Sequence, residues 1–139
     1  MMYTENKKYE AMKQEAIEAI IEALEDGYCG YYCDLHNEVF NTDYYIIGTY
    51  EAKDALREYD VFDAIELVQK YEEFNFGEVN TDLSNPEKLI NMVYYIIGDE
   101  VICEMNEIEE FSGDNWNELA DDETNDIIIE KMKRMYGLN

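Results

Sequence analysis

The sequence predicts a mostly α-helical fold, a compact single-domain bundle that spans residues 1–139. Apolar residues repeat at helical spacing in several segments. Capping residues and glycines mark the ends of those segments. The length suits one domain that can bury a core without disulfides or a metal. An α+β fold with a small hairpin within residues 28–47 is the alternative that the pattern leaves open.

The first helix is expected over residues 5–26. Thr4 can cap its start and Gly27 can end it. Helical spacing predicts a buried stripe of Tyr9, Met12, Ala16, Ile17, Ile20, Ile21 and Leu24.

Residues 28–50 are crowded with Tyr, Phe and Ile and are interrupted by glycines. We expect a loop or short strand at Tyr31–Cys33 and a short helix or strand near residues 38–41. Tyr44–Ile47 could form a strand or a helical turn, because period alone cannot assign such short runs.

Two helices are expected next, over residues 50–59 with Thr49 as the cap and over residues 61–74 with Asp60 as the cap. The second should bury Phe62, Ile65, Val68 and Tyr71.

A long helix should begin at Pro86, since proline is favoured at the first helical position, with Ser84 or Asn85 as its cap. Its predicted stripe is Leu89, Val93, Ile97, Val101, Met105 and Ile108. Gly98 inside it indicates a bend or close packing. A last helix over residues 123–136 should turn Ile128, Met132 and Met135 inward, with Gly137 beyond its end.

Residues 41–48 and 91–98 match at six of eight positions, but their flanks differ. This pattern favours two similar core segments over an internal duplication.

The net charge is −24, from 34 acidic and 10 basic residues, and it is unevenly spread. Residues 71–130 hold 18 acids and one base, and residues 89–130 hold 13 acids and no base. Like charges without Lys partners at i,i+4 stay unneutralised within a helix. Nucleic acid and anionic membrane would repel the chain, so we expect a basic partner.

Carboxylates on neighbouring helical turns lie about 6 Å apart, from a rise of about 1.5 Å per residue. Such an array can imitate the phosphates of a nucleic acid in sign and rough density. The sequence therefore predicts a stoichiometric inhibitor that presents an acidic face to the basic channel of a host defence nuclease. The predicted contact residues are Glu100, Glu104, Glu107, Glu109, Glu110, Asp114, Glu118, Asp121, Asp122 and Glu123.

Catalysis is not expected. The one histidine, His36, excludes a paired-histidine acid–base site, and no nucleophile, phosphate-loop or zinc-protease motif is present. Cys29, Cys33 and His36, with Cys103 as a fourth, could ligate zinc, but the usual CxxC spacing is absent. We expect buried cysteines among aromatics instead, and neither a metal nor a cofactor.

An alternative is a protein-interaction module with an aromatic contact centred on Tyr31, Tyr32, Phe40, Tyr44 and Tyr45. In each tyrosine pair, one ring should face inward and the other outward. A further alternative is a small ligand bound between helices near His36 and the tyrosines.

Residues 34–48 and 75–83, DLHNEVFNTDYYIIG and NFGEVNTDL, resemble small uncharacterised proteins of phages and mobile elements in gut bacteria. In size and charge the chain is also similar to anti-CRISPR and antirestriction proteins, which are often DNA mimics. The first resemblance covers about residues 34–100 and carries over no functional residue.

The odd number of cysteines and the lack of an apolar N-terminal segment predict a reducing, cytoplasmic location in a bacterial host cell. No apolar run approaches the ~20 residues that a membrane helix needs.

Overall fold

The described residues, 7–40 and 61–138 of a computed structural model, form a helical fold. Its five α-helices are α1 (Lys7–Glu25), α2 (Leu35–Val39), α3 (Val61–Phe76), α4 (Pro86–Met105) and α5 (Asp122–Met135). Single 3₁₀ turns cover Tyr32–Asp34, Glu109–Phe111 and Gly113–Asn117. The prediction of a mostly helical fold is confirmed.

Helix α4 lies at the centre because it is apolar around most of its circumference. It packs against both α1 and α3, and α1 also packs against α5. The end of α1 meets the start of α5, where the Asn125 side chain bonds to the backbone of Tyr28. Glu18 and Lys133 face a common groove, so α1 and α5 run antiparallel.

Two of the described helix ends follow the predicted capping chemistry, at Asn85 and Gly27. Asn85, one of the two expected caps, accepts hydrogen bonds from the backbone N–H groups of Glu87 and Lys88 at 3.0 and 3.2 Å. Gly27 follows α1 with a φ of 90°, a conformation that favours glycine. Helix α5 begins one residue before the expected start, with Asp121 as its cap.

The buried stripes of α1 and α4 are confirmed, although Ile108 is buried beyond the end of α4 rather than within it. The stripe predicted for α3 is confirmed at Val68 and wrong at Ile65 and Tyr71, which are only half-buried, while the side chain of Phe62 lies outside the described residues. Over residues 64–76, where the burial of this helix is described, Ala64 and Leu67 join Val68 as buried apolar residues. The buried face also includes the Glu72 carboxylate, which accepts hydrogen bonds from the loop after the helix and was therefore missed by an apolar pattern.

Gly98 marks close packing, one of its two predicted roles. A Cβ atom there would lie 2.5 Å from ring carbons of Phe40, so this glycine lets the ring of Phe40 rest directly on α4.

The first part of the alternative hairpin is absent, because residues 28–40 form a β-bridge, a 3₁₀ turn and α2. The remainder, residues 41–47, lies outside the described residues. So do the expected helix over 50–59, the first copy of the internal match, and the caps Thr4, Thr49 and Asp60.

Among the helices of the described ranges, none combines the length and the apolar character needed to cross a membrane.

Candidate interaction surface

Two backbone hydrogen bonds join residues 30–32, part of the predicted aromatic contact, to residues 118–120, within the predicted acidic contact. The N–H of Ala120 donates to the carbonyl of Gly30 at 2.8 Å, and the N–H of Tyr32 donates to the carbonyl of Glu118 at 3.2 Å. Tyr31 therefore lies opposite Leu119 in an antiparallel bridge. In this kind of pair the two side chains are neighbours on one face. Both remain in solvent, with 47% of Tyr31 and 56% of Leu119 exposed.

A buried side-chain network fixes this bridge to α5. The hydroxyl of Tyr32 donates to Oδ1 of Asn125 at 2.6 Å, and Nδ2 of Asn125 donates to the carbonyl of Tyr28 at 2.9 Å. Both Tyr32 and Asn125 are fully buried. The ring of Tyr32 also packs edge-on against Phe111, with centroids 5.5 Å apart. The exposed side chains of Tyr31 and Leu119 therefore lie over a buried hydrogen-bond network that holds the bridge to α5.

Beside the bridge lies a surface pocket of about 540 Å³, here named the bridge pocket. Its lining residues are Ala23, Asp26, Gly27, Tyr28, Cys29, Gly30, Tyr31, Asp34, Glu38 and Leu119. Among these described lining residues, three are acidic and none is basic. Burial, together with the charges of Asp34 and Glu38, raises the pKa of Tyr28 to about 12. The pocket thus combines aromatic walls with a negative field.

Two of the predicted contact residues on α4, Glu100 and Glu104, have a lysine beside them. Nζ of Lys13, on α1, lies 2.7 Å from an oxygen of Glu104 and 3.6 Å from one of Glu100. Glu104 also accepts from the hydroxyl of Tyr136, and Glu100 accepts from that of Tyr9, each at 2.7 Å. These two carboxylates bind α4 to α1 and to the chain after α5, so a partner would have to break existing contacts to use them.

Two further predicted residues also have internal roles. Glu110 pairs with Lys131 at 2.6 Å, a hydrogen bond that lowers the pKa of the carboxyl group. Asp121 accepts from the backbone N–H and the hydroxyl of Thr124 as the cap of α5, and both bonds lower the pKa of its carboxyl group. Lys131 of α5 therefore supplies Glu110 with a counter-charge that the i,i+4 spacing within a helix does not show.

Six predicted residues remain exposed, and within the described ranges their side chains neither form an ion pair nor cap a helix. They are Glu107, Glu109, Asp114, Glu118, Asp122 and Glu123. Four lie on the connection between α4 and α5. The last two occupy the first turn of α5, where they also suit the helix dipole.

Sequence reasoning missed the acidic residues that the fold adds from the first forty positions. Asp26, Asp34 and Glu38 line the bridge pocket. A second depression of about 470 Å³, the α1–α5 groove, is lined by Glu18, Ile21, Glu22, Glu25, Lys133 and Leu138. The i,i+4 spacing of Asp34 with Glu38, and of Glu18 with Glu22, is the sequence signal for these surfaces. The net charge of residues 1–70 is less negative than that of residues 71–130, so a count of charge by segment does not reveal it.

The three cysteines, expected to be buried among aromatics rather than to ligate zinc, lie closer to the surface than predicted. Cys29 and Cys103 are exposed and Cys33 is half-buried, so the expectation of buried cysteines is wrong. No three His, Cys, Asp or Glu residues in the described part of the chain are placed to hold a metal ion.

His36 is buried, with Nε2 2.8 Å from the carbonyl oxygen of Tyr95 and its ring 4.2 Å from that of Tyr95. Packing occupies this side chain, so the structure adds no support for a ligand site there.

The predicted in–out arrangement of tyrosine pairs holds for Tyr31 and Tyr32, which are exposed and buried respectively. Phe40 is buried against Gly98, so it cannot serve as a surface contact. Tyr44 and Tyr45 lie outside the described residues. Among the described residues of the predicted aromatic contact, Tyr31 is the one whose side chain is exposed to a partner.

No protein-family model matches this chain, and neither a curated protein nor a solved structure matches it.

Proposed function

We propose that this protein is a stoichiometric inhibitor that presents an acidic, nucleic-acid-mimicking face to the basic channel of a host defence nuclease. The observation that carries the proposal is the group of six exposed carboxylates between Glu107 and Glu123 that, in the described structure, neither form an ion pair nor cap a helix. The anti-CRISPR and antirestriction types are the classes of inhibitor that this chemistry fits.

The physical argument concerns uncompensated charge. A carboxylate that already has a lysine partner gains little from a second cation, whereas a solvated carboxylate can replace a phosphate on a basic surface. Binding would release the anions that surround the partner's Lys and Arg residues, and its affinity would fall as salt rises. The contact surface should therefore be the connection and the start of α5, without Glu100, Glu104 and Glu110.

The proposal places the protein in the cytoplasm of a bacterial host cell, where such nucleases act. It requires neither a cofactor nor a catalytic step. The alternative, an aromatic interaction module, now rests on Tyr31 and Leu119, and its complexes should respond little to salt.

The experiment measures DNA cleavage by purified CRISPR effector nucleases and restriction endonucleases at equimolar inhibitor, in low and in moderate salt. The parent chain should inhibit at least one of these nucleases, and more strongly in low salt. A variant with Glu107→Gln, Glu109→Gln, Asp114→Asn and Glu118→Gln should lose this inhibition. Replacing the same four residues with Lys should abolish it completely.

The matched control makes an equal change in net charge on another surface, with Glu10, Glu18, Glu22 and Glu25 of α1 replaced by Gln. These residues are exposed, so the control should keep its fold and its inhibition. Equal loss in both variants would show that net charge, and not this surface, governs binding. Full inhibition by the first variant would refute the site.

A further inference from the structure

We propose that the bridge pocket binds an arginine side chain of a basic protein partner. The inference deepens the proposed function, on which it rests for the basic character of the partner. It assigns a specific contact to a pocket whose lining residues are absent from the acidic set predicted from sequence.

The acidic side chains that line the bridge pocket favour a cationic ligand. Asp26, Asp34 and Glu38 line it, and none of its lining residues in the described part of the chain is basic. An apolar ligand would strip water from three carboxylates and leave them without partners, which is unfavourable. A cationic group would satisfy them. Asp34 and Glu38 line the same pocket as Tyr28, and after burial their charges also raise the pKa of its hydroxyl group.

The aromatic walls favour arginine over a metal ion or lysine. A guanidinium group is planar, so it can stack on a tyrosine ring while its N–H groups bind carboxylates. Tyr31 is exposed beside Leu119, and the ring of Tyr28 covers Gly30, where an added Cβ would lie 2.7 Å from the tyrosine hydroxyl oxygen. The carboxylates lining the pocket belong to no metal-holding group within the described residues.

The α1–α5 groove provides an internal comparison. It also has three carboxylates, Glu18, Glu22 and Glu25, but Lys133 lies among them and none of the residues that line it within ranges 7–40 and 61–138 is aromatic. If charge alone controlled binding, an arginine side chain would enter both depressions. The proposal requires a preference for the bridge pocket.

The test is a titration of the full ¹⁵N-labelled chain with the blocked peptide Gly-Arg-Gly, followed by NMR. Saturable shifts should appear at the amides of residues 28–38 and 118–120 and should be smaller along the α1–α5 groove. The same peptide with citrulline, which is neutral and nearly isosteric, should not bind. The lysine peptide should bind more weakly than the arginine peptide.

Variants then test the named contacts. Tyr31→Ala should weaken arginine-peptide binding about two- to fivefold, the loss expected for an exposed cation–π contact. Asp34→Asn with Glu38→Gln should weaken it further. Because these side chains are exposed and form no described core contact, the spectra should otherwise match the parent. Glu18→Gln with Glu22→Gln is the matched control and should bind like the parent.

Equal binding of the citrulline peptide, equal shifts in the groove, or unchanged affinity in the pocket variants would each overturn the inference. This result is separable from the nuclease assay, because Glu107, Glu109, Asp114 and Glu118 do not line the pocket. Nuclease inhibition without arginine binding would refute the pocket alone. Arginine binding without inhibition of any nuclease would refute the proposed function alone.

Discussion

The buried network beneath the bridge allows a quantitative test of how the surface is held in place. We consider the replacement of Asn125 by Ala. This side chain accepts from the hydroxyl of Tyr32 at 2.6 Å and donates to the carbonyl of Tyr28 at 2.9 Å. The replacement leaves the hydroxyl of Tyr32 and the carbonyl of Tyr28 without this hydrogen-bond partner.

The expected cost follows from those two groups. A buried polar group that loses its hydrogen-bond partner costs about 1–3 kcal/mol. The carbonyl of Tyr28 is only partly buried and should lie at the lower end. Asn125→Ala should therefore lower the free energy of unfolding by about 2–4 kcal/mol. Tyr32→Phe affects one bond and should cost about 1–2 kcal/mol.

Urea titrations followed by circular dichroism would measure both variants and the double variant. The losses should not add, because the two single replacements break the same Tyr32–Asn125 bond, and the coupling energy should be about 0.5–3 kcal/mol. Amide exchange should accelerate at Tyr32 and Ala120, whose N–H groups form the bridge.

Asn117→Ala is the control for the loss of an asparagine side chain. Asn117 is exposed, so its replacement should change stability by less than about 0.5 kcal/mol. If Asn125→Ala is equally harmless, or if the losses of the two single variants add, the network does not hold the bridge.

Three further predictions concern packing and pH. Gly98→Ala should lower the free energy of unfolding by about 1–3 kcal/mol because its methyl group would overlap the ring of Phe40, and adding Phe40→Leu should recover part of this loss in urea titrations. Lys13→Met should cost less than about 1 kcal/mol, with a difference from the parent that shrinks as salt rises. Burial lowers the pKa of Lys13, but Glu104 and Glu100 raise it more, so the pKa in the folded protein lies above the ordinary value of 10.5. The stability that these ion pairs contribute is therefore complete below pH 10.5 and is lost as the pH rises through the pKa of the folded protein. Burial raises the pKa of Tyr28 and Tyr32 from 10.0 to about 12, so ionisation of either hydroxyl destabilises the folded protein. Thermal melts should show full stability below pH 10 and a decline between pH 10 and 12. A constant melting temperature across that range would contradict this.

Local patterns predicted the helices well because helix formation depends on neighbours three and four residues apart. The cap at Asn85 and the apolar stripe of α4 are examples. The error in α3 arose because Glu72 is buried through hydrogen bonds to Asn80 and Thr81, which an apolar pattern does not include.

The amino-acid sequence alone determined the helical class, most helix ends and the large excess of carboxylates. Only the tertiary structure decided which carboxylates are available to a partner. Lys13 reaches Glu104 across 91 positions, and Tyr31 meets Leu119 across 88, so no local spacing could reveal either contact. Coulombic and hydrogen-bonding energies depend on distance in space, and the chain sets that distance only when its helices pack together.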